Sequence, residues 1–597
     1  MLKPARWATL LLVLTLAACD AADTPLPPSP PDNGPEVAAT TPATPGSTPG
    51  SSPVPTIDPN VGIAPDAPTV TPEAPDGTVA PPNPQPPAEV GLAGFAIDYP
   101  LIESDRSRVP QGTLTLAFYT NLDAERLDPQ QAQDSFISYA LFLDHIFDPM
   151  IGATSEGRFT YLLADHFEMT GDFRKATLRL REGVRFHNGA PVTADDVKFT
   201  YENYSGANAQ TLHNKTQRVE VVDGRTVSFY FNEPFADFLL LYGSRASGAG
   251  YIVPQEYYRE VGPEGFIQAP IGAGAYRVVG PTGGQEITLE AFPDYWRKVP
   301  HIQKFITRGV PDLVRRVADL RTGEADVAYF ITGPLLREVV HRPGLRVTPN
   351  NTAAFWLFFP GLEDPENPFS DPRVREAVSL VLDREALAQA ETVGLGAPTG
   401  NFIPPGKPGR IERPVPEFHR DRARQLMAEA GYPDGFVLDS FTPFPPVFSL
   451  GERLLESLRE LGIRGELKVT SRTQFLEMLQ QHRQGFPGVQ MGFGVSLDPP
   501  DAFSYFHAFA RCNQGLSVNC DPGLEELITR YETSLDLAER EQLVAELQSY
   551  VLDRFIFVPL YLDSFPIGAG PRIRGDLAQH TRVHPYLFPY EDIQLNP

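Results

Sequence analysis

The chain has 597 residues, too many for a single hydrophobic core at about 100–200 residues per domain, so three or four structural units are expected. Its formal net charge is −25, from 50 basic and 75 acidic residues, which excludes a nucleic-acid partner, because a phosphate backbone is held by clustered Lys and Arg. The 62 prolines are about twice ordinary usage and are unevenly distributed.

Lys3 and Arg6 precede an apolar run from Trp7 to Ala18, which ends in Leu16-Ala17-Ala18-Cys19. This is the pattern of a secretory signal peptide, and it falls short of the ~20 apolar residues that span a bilayer. Its end resembles the bacterial lipobox, which implies that Cys19 becomes the lipid-modified first residue of the mature protein. No other stretch is long and apolar enough to cross a membrane. The expected location is therefore the outer side of the cytoplasmic membrane, facing the periplasm or the extracellular space and held by lipid alone.

From Asp20 to Pro100 the chain contains 22 prolines, ten acids and no Lys or Arg. Such a segment cannot bury enough apolar surface to offset its ordering entropy, so residues 20–109 are read as a tether. As a coil, 81 residues reach about 50 Å.

Alternation at Gly112 to Phe118 predicts the first strand. Thr193-Ala194-Asp195-Asp196 opens a helix with a cap and acids at its positive end. Ser370-Asp371-Pro372 opens another, with Val374, Ala377, Val378 and Val381 on one face. Further helices are predicted from Asp421 to Ala430, stopped by Gly431, and from Gly451 to Leu461, stopped by Gly462. Leu537 to Leu552 is the longest, and no internal repeat interrupts this α/β alternation.

Chemistry-bearing motifs are few. The chain has no Gly-x-Ser-x-Gly elbow and no His-Glu-x-x-His helix. Gly400 to Lys407 superficially resembles a phosphate loop, but it has five residues between its glycines, and Pro408 stands where a magnesium-binding hydroxyl is required. The eleven histidines include no pair at metal-ligand spacing on a helix. No catalytic residue, metal or cofactor is therefore assigned, and a membrane-anchored hydrolase lacks a visible nucleophile. Besides Cys19 the cysteines are Cys512 and Cys520, eight positions apart. Outside the cytoplasm these are expected to form a disulfide, with a two-thiolate metal site as the alternative.

Leu163-Ala164-Asp165-His166-Phe167-Glu168-Met169, followed by the run from Ala176 to Phe199 with its Asn188-Gly189 turn, resembles the signature of the family 5 extracellular solute-binding proteins. These are the receptors of oligopeptide, dipeptide and nickel ABC importers. Similar segments follow in family order: Pro270 to Tyr276, Pro293 to Trp296, Leu320 to Val327, Asp371 to Val378, Ala428 to Phe436 and Val558 to Tyr561. The resemblance covers nearly everything after Pro110. It implies an α/β fold of the periplasmic-binding-protein type II, with mixed-sheet lobes joined by hinge strands, an extra small lobe, and closure around ligand. Lobe I is expected at 110–152, 272–355 and 562–597, the small lobe at 153–271, and lobe II at 356–561. Gly272 and Gly274 are expected to serve backbone geometry at a lobe crossing, with ligand contact as the alternative.

The implied partners are a peptide or other small solute and an ABC permease with its ATPase subunits; the protein is expected to act as a monomer. Peptide-binding relatives hold the ligand's ammonium with an aspartate just upstream of an Asp-Pro-Asp-x-Phe-like segment. Alignment of Pro500-Asp501-Ala502-Phe503 with that pattern puts Ser496 in the anchor's place, and Asp498 supplies the charge only by a shift of register. Asp501 is expected to cap the following helix. Ligand-binding candidates are Asn121, Phe355, Trp356, Ser496, Asp498, Asp501 and Tyr505, although Phe355, Trp356 and Tyr505 suit a core equally well. If they stack on a ligand, a neutral solute such as an oligosaccharide is the alternative to a peptide, and sensing for a membrane kinase is the alternative to transport.

Replacing Cys19 by Ala should release the protein from membranes and leave the fold intact, as measured by partition into the membrane fraction and by the melting temperature of the soluble form. Unchanged membrane partition would remove the lipid anchor.

Overall fold

In the computed structural model, Gln111–Phe118 is the central strand of a seven-stranded sheet. The structure describes residues 106–122, 124–131, 142–153, 159–243, 247–282, 284–348, 353–445, 447–471, 474–475, 477, 479, 489–496, 501–512, 517–563, 566–577 and 589–596. The signal peptide, Cys19 and nearly all of the tether lie outside these residues. The sheet order is 346–348, 567–569, 327–328, 111–118, 302–309, 286–291 and 276–279. The only neighbouring strands of this sheet that pair in parallel are the central strand with 302–309 and with 327–328, so the carboxyl ends of these three open on one edge. This sheet is lobe I.

Lobe II is a five-stranded sheet in the order 397–398, 557–563, 353–358, 490–496 and 440–442. Among the described residues, the chain passes from lobe I to lobe II between Thr348 and Ala353 and returns between Asp563 and Ile567. The expected divisions at 355/356 and 561/562 therefore cut through strands. Ala353–Phe358 and Phe557–Asp563 pair with each other along their length, and both belong to lobe II.

The small lobe is a four-stranded antiparallel sheet in the order 164–169, 175–180, 226–231 and 216–223, beside the two-stranded ribbon of 151–153 and 159–161. It buries its own core around Phe229, Phe231, Phe238 and Tyr242. The cores of lobes I and II form one continuous apolar cluster.

Local chemistry explains the helix boundaries. Helix Ala194–Asn203 starts at a full capping box, with Thr193 and Asp196 each accepting from the other's backbone N–H. Asp371 caps Pro372–Leu380, whose Val374, Ala377 and Val378 are buried. Arg420–Glu429 and Phe448–Arg459 are followed by Gly431 and Gly462 at φ +92° and +73°, left-handed positions that favour glycine. The second starts three residues earlier than Gly451, because Leu450, next to the buried Val447 at its cap, already faces the core. Leu537–Asp553 is the longest helix described, at 17 residues.

At the junction of the small lobe and lobe I, Gly272 and Gly274 run against the backbone of His145 and Ile146. Gly274 N–H donates to the Ile146 carbonyl at 2.9 Å. A Cβ on Gly272 would lie 2.1 Å from the Ile146 oxygen, and one on Gly274 would lie 2.5 Å from the His145 oxygen. Neither glycine can carry a side chain without backbone movement. His145 is itself fully buried, its ring stacked on Tyr590 at 3.5 Å, and neither ring nitrogen has a hydrogen-bond partner among the described residues. Burial holds its imidazole neutral, with the pKa lowered to about 3.

Two outcomes follow for this junction. Gly274→Ala should destabilise the folded part by at least ~1–3 kcal/mol, the usual range for overpacking, read as a lower melting temperature with ligand absent. Because the unfolded His145 titrates near 6.5 and the folded one near 3, acidification protonates only the unfolded chain, and stability is lost as pH falls from 6.5. His145→Phe should remove about 2 kcal/mol of the loss seen between pH 7 and pH 5 in denaturant titrations.

Candidate functional site

The parallel strands of lobe I end at Phe118, Ala328 and Gly309, and the loops beyond the first two carry Tyr119 and Tyr329-Phe330. Ligands of open α/β sheets collect outside carboxyl ends of this kind. The loops approach one another closely: a Cβ on Gly309 would lie 2.7 Å from the Thr120 oxygen. Phe118 stacks on Tyr119 at 4.6 Å, Phe118 meets Tyr329 at 5.2 Å, and Tyr119 meets Phe330 at 4.9 Å.

Phe330 adopts φ +59°, a left-handed conformation that costs a non-glycine residue ~1–3 kcal/mol and is concentrated at functional positions. One side chain holds it there. Arg316, fully buried in helix Leu313–Thr322, donates to the carbonyls of Val310 (2.6 Å), Pro311 (3.1 Å), Tyr329 (2.9 Å) and Phe330 (3.0 Å). Burial lowers its pKa to about 10, so it remains a cation at neutral pH.

Lobe II meets this wall with a second set of aromatic rings. Phe444, just beyond strand Ser440–Thr442, lies 6.4 Å from Phe330, 5.6 Å from Phe475 and 6.5 Å from Phe355. Beside them Ile331 N–H donates to the Pro566 carbonyl at 3.2 Å, and Gly333 N–H donates to the Glu391 carbonyl at 3.0 Å. The Glu391 carboxylate is buried and accepts from Ser449 Oγ at 2.6 Å and Arg453 Nε at 2.7 Å. Gly333 has φ +61° and ψ −152°, a region open to glycine alone.

The sequence candidates separate into distinct environments. Asn121 is exposed in the loop beyond Phe118, on the lobe I side. Phe355 is fully buried under Phe444, stacked on Tyr561 at 5.2 Å. Trp356 lies among Phe358, Phe402, Phe509 and Phe557, the last at 4.3 Å; it is a core residue in a different aromatic group from the one that meets lobe I. Tyr505 is likewise fully buried, with its ring edge toward Phe402. Strand alternation explains the split, since Phe355 and Trp356 are consecutive and face opposite ways.

Ser496 is the last residue of strand Gln490–Ser496, paired with Ala354 beside the crossing between lobes, and Asp498 lies outside the described residues. Asp501 caps helix Ala502–Phe509, with Oδ1 accepting from Ser504 N–H (2.9 Å) and Ser504 Oγ (2.7 Å). Cys512 and Cys520 are joined by a disulfide, Cα atoms 4.6 Å apart, next to a peripheral pocket of about 240 Å³ lined by Leu362, Phe509 and Phe557. Sequence reading missed Tyr119, Phe330 and Phe444; an aromatic residue after each strand end was the available signal. It also missed Arg316, for which no local pattern exists.

Among the described residues, no group of three or more His, Cys, Asp or Glu could hold a metal ion, and no helix is long and apolar enough to cross a membrane. What the arrangement offers is a largely aromatic contact between two lobes, with its rings buried.

Residues 158–515 match the model of the bacterial extracellular solute-binding proteins, family 5. The glutathione-binding protein GsiB of Salmonella typhi is 26% identical over 427 residues, which cover 69% of this chain and 80% of that protein. Two solved structures share the fold. The periplasmic binding protein DppA of Helicobacter pylori, in complex with the peptide STSA, superposes with a TM-score of 0.70 at 21% identity, covering 81% of this chain and 98% of that one. A dipeptide-binding protein from Pseudoalteromonas in complex with Met-Leu also gives 0.70, at 20% identity, covering 81% of this chain and 100% of the other. With more than half of its length matched, the chain belongs to the family 5 bacterial extracellular solute-binding proteins.

Proposed function

We propose that a ligand enclosure forms at the aromatic contact between lobes I and II and takes a peptide, and that the protein, tethered by its lipidated Cys19, delivers that peptide as a monomer to an ABC permease driven by ATPase subunits. The observation that carries this reading is the meeting of Phe330, itself packed on Tyr119, with Phe444 across the lobe junction, in a chain of this family whose similar proteins hold glutathione, STSA and Met-Leu. Aromatic walls bury apolar side chains and stack on planar peptide groups without demanding one sequence. No catalytic step is assigned to the site.

Binding is expected to favour the closed arrangement, by as much as the ligand's affinity for the closed form exceeds its affinity for the open one. The peptide's ammonium needs a carboxylate near Ser496, and Asp498 is the acid within a short register shift. A neutral solute, for which no ammonium anchor is needed, remains the second reading because Ser496 occupies the anchor's place.

Mass spectrometry of whatever copurifies with the folded part identifies the solute class, and a peptide is expected. Asp498→Asn should weaken a free-amine peptide by ~2–4 kcal/mol and an N-acetylated one little, because only the first loses its charge partner. Equal binding of both peptides by the unaltered protein, or of neither, would dismiss the ammonium anchor and redirect the search to oligosaccharides. Phe444→Ala should cost ~2 kcal/mol in peptide affinity, expressed mainly in the dissociation rate; an unchanged rate would move the ligand away from this wall.

A further inference from the structure

A second contact, away from the aromatic enclosure, ties the small lobe to lobe II. Arg540, in helix Leu537–Asp553 of lobe II, is buried and forms an ion pair with Asp237, which begins helix Phe238–Tyr242 of the small lobe. The partners are 303 positions apart. On its own lobe Arg540 donates to the Tyr531 carbonyl at 2.9 Å, and its guanidinium lies 3.8 Å from the Tyr531 ring centroid. Tyr531 in turn stacks on Phe503 at 3.6 Å.

The charges around this pair come from every element packed against it. Asp501 and Glu532 of lobe II add negative potential, and Lys215 of the small lobe adds positive potential. Lys215 also acts on the buried His507 of lobe II. Arg540 Nε and Asp501 Oδ2 are both buried without a hydrogen-bond partner among the described residues. The helix that Asp501 caps follows directly on the segment that carries Asp498.

We propose that Arg540 and Asp237 form a register lock on closure: Arg540 admits only the approach of the small lobe that seats Asp237 against it. The proposal rests on the closure reading above. A buried ion pair yields little net stabilisation, since the desolvation of both ions offsets their attraction, whereas one buried ion left alone is heavily penalised. Burial accordingly pushes the Asp237 carboxyl up to about 6 in spite of the adjacent guanidinium. The lock therefore contributes discrimination more than closing force: a closure displaced by a few ångströms leaves Arg540 buried without the carboxylate it pairs with.

The test places probe pairs on exposed residues of the full chain. Val222→Cys with Leu535→Cys reports the separation of the small lobe from lobe II, and Val314→Cys with Val437→Cys reports the separation of lobe I from lobe II. Distance distributions are recorded on protein as purified, with its retained solute, and after stripping by unfolding and refolding. In Asp237→Asn, and separately in Arg540→Met, the short 222–535 separation of the solute-loaded protein should be lost to a longer, broader population. The double variant Asp237→Leu with Arg540→Met, which leaves no ion stranded, should restore the short separation. Single variants that keep the unaltered distribution, or a double variant as open as the single ones, would overturn the lock. If the 314–437 separation is the same with and without solute, closure itself fails; if it changes while 222–535 ignores the single substitutions, closure stands and only the lock falls.

Discussion

Two loops that leave the parallel strands on either side of the central one bring buried carbonyl oxygens into a space that water does not reach, and each orphaned group costs about as much as a lost hydrogen bond. Arg316 answers four of them with one guanidinium. Its planar fork supplies several donors in fixed directions, which an ammonium could not do. Because two of the carbonyls belong to Tyr329 and Phe330, the same side chain that satisfies the backbone also holds Phe330 in its left-handed conformation and aims its ring at Phe444. The aromatic contact between the lobes thus depends on a side chain that lies behind it.

Lobe II repeats the device. Arg384 donates to the carbonyls of Pro559 and Ser379, and Arg375 reaches the carbonyls of Arg554 and Phe369. Burial lowers their pKa values to about 9 and about 10, which leaves both cationic at neutral pH. Such arginines bridge segments far apart in sequence, 175 and 179 positions in these cases, and so fix how helices seat on the sheet. Arg540 differs from them, because it spends one arm on a carboxylate of another lobe.

What could be read from the sequence was local. Caps at Thr193 and Asp371, left-handed stops at Gly431 and Gly462, the Asn188-Gly189 turn and the first strand each depend on a few neighbouring residues, and each appears where the pattern put it. Gly272 and Gly274 were legible as backbone positions, although only the structure shows the His145 and Ile146 carbonyls that exclude a side chain. Lobe boundaries were off by a few residues, because no composition change marks the point where a strand exchanges one sheet for another. Trp356 and Phe355 could not be told apart, since which face of a buried strand looks toward the other lobe depends on its partners. The Arg316 carbonyl network and the Arg540–Asp237 pair have no sequence signature, because their partners are set by tertiary proximity.

The order of strands in lobe I also bears on when the protein can fold. Strand 111–118 is flanked by 302–309 and 327–328, and the sheet then continues through 567–569, a neighbour that emerges some 450 positions after the first strand. A chain crossing a membrane from its amino end would expose Gln111–Phe118 long before this sheet could be completed. Non-local pairing of this kind is slow to nucleate. The small lobe, whose strands lie within 164–231, can pair within itself much earlier. Discontinuity of lobe I therefore delays completion of its sheet until the last of its strands is available, whereas the small lobe has every strand of its own sheet far earlier.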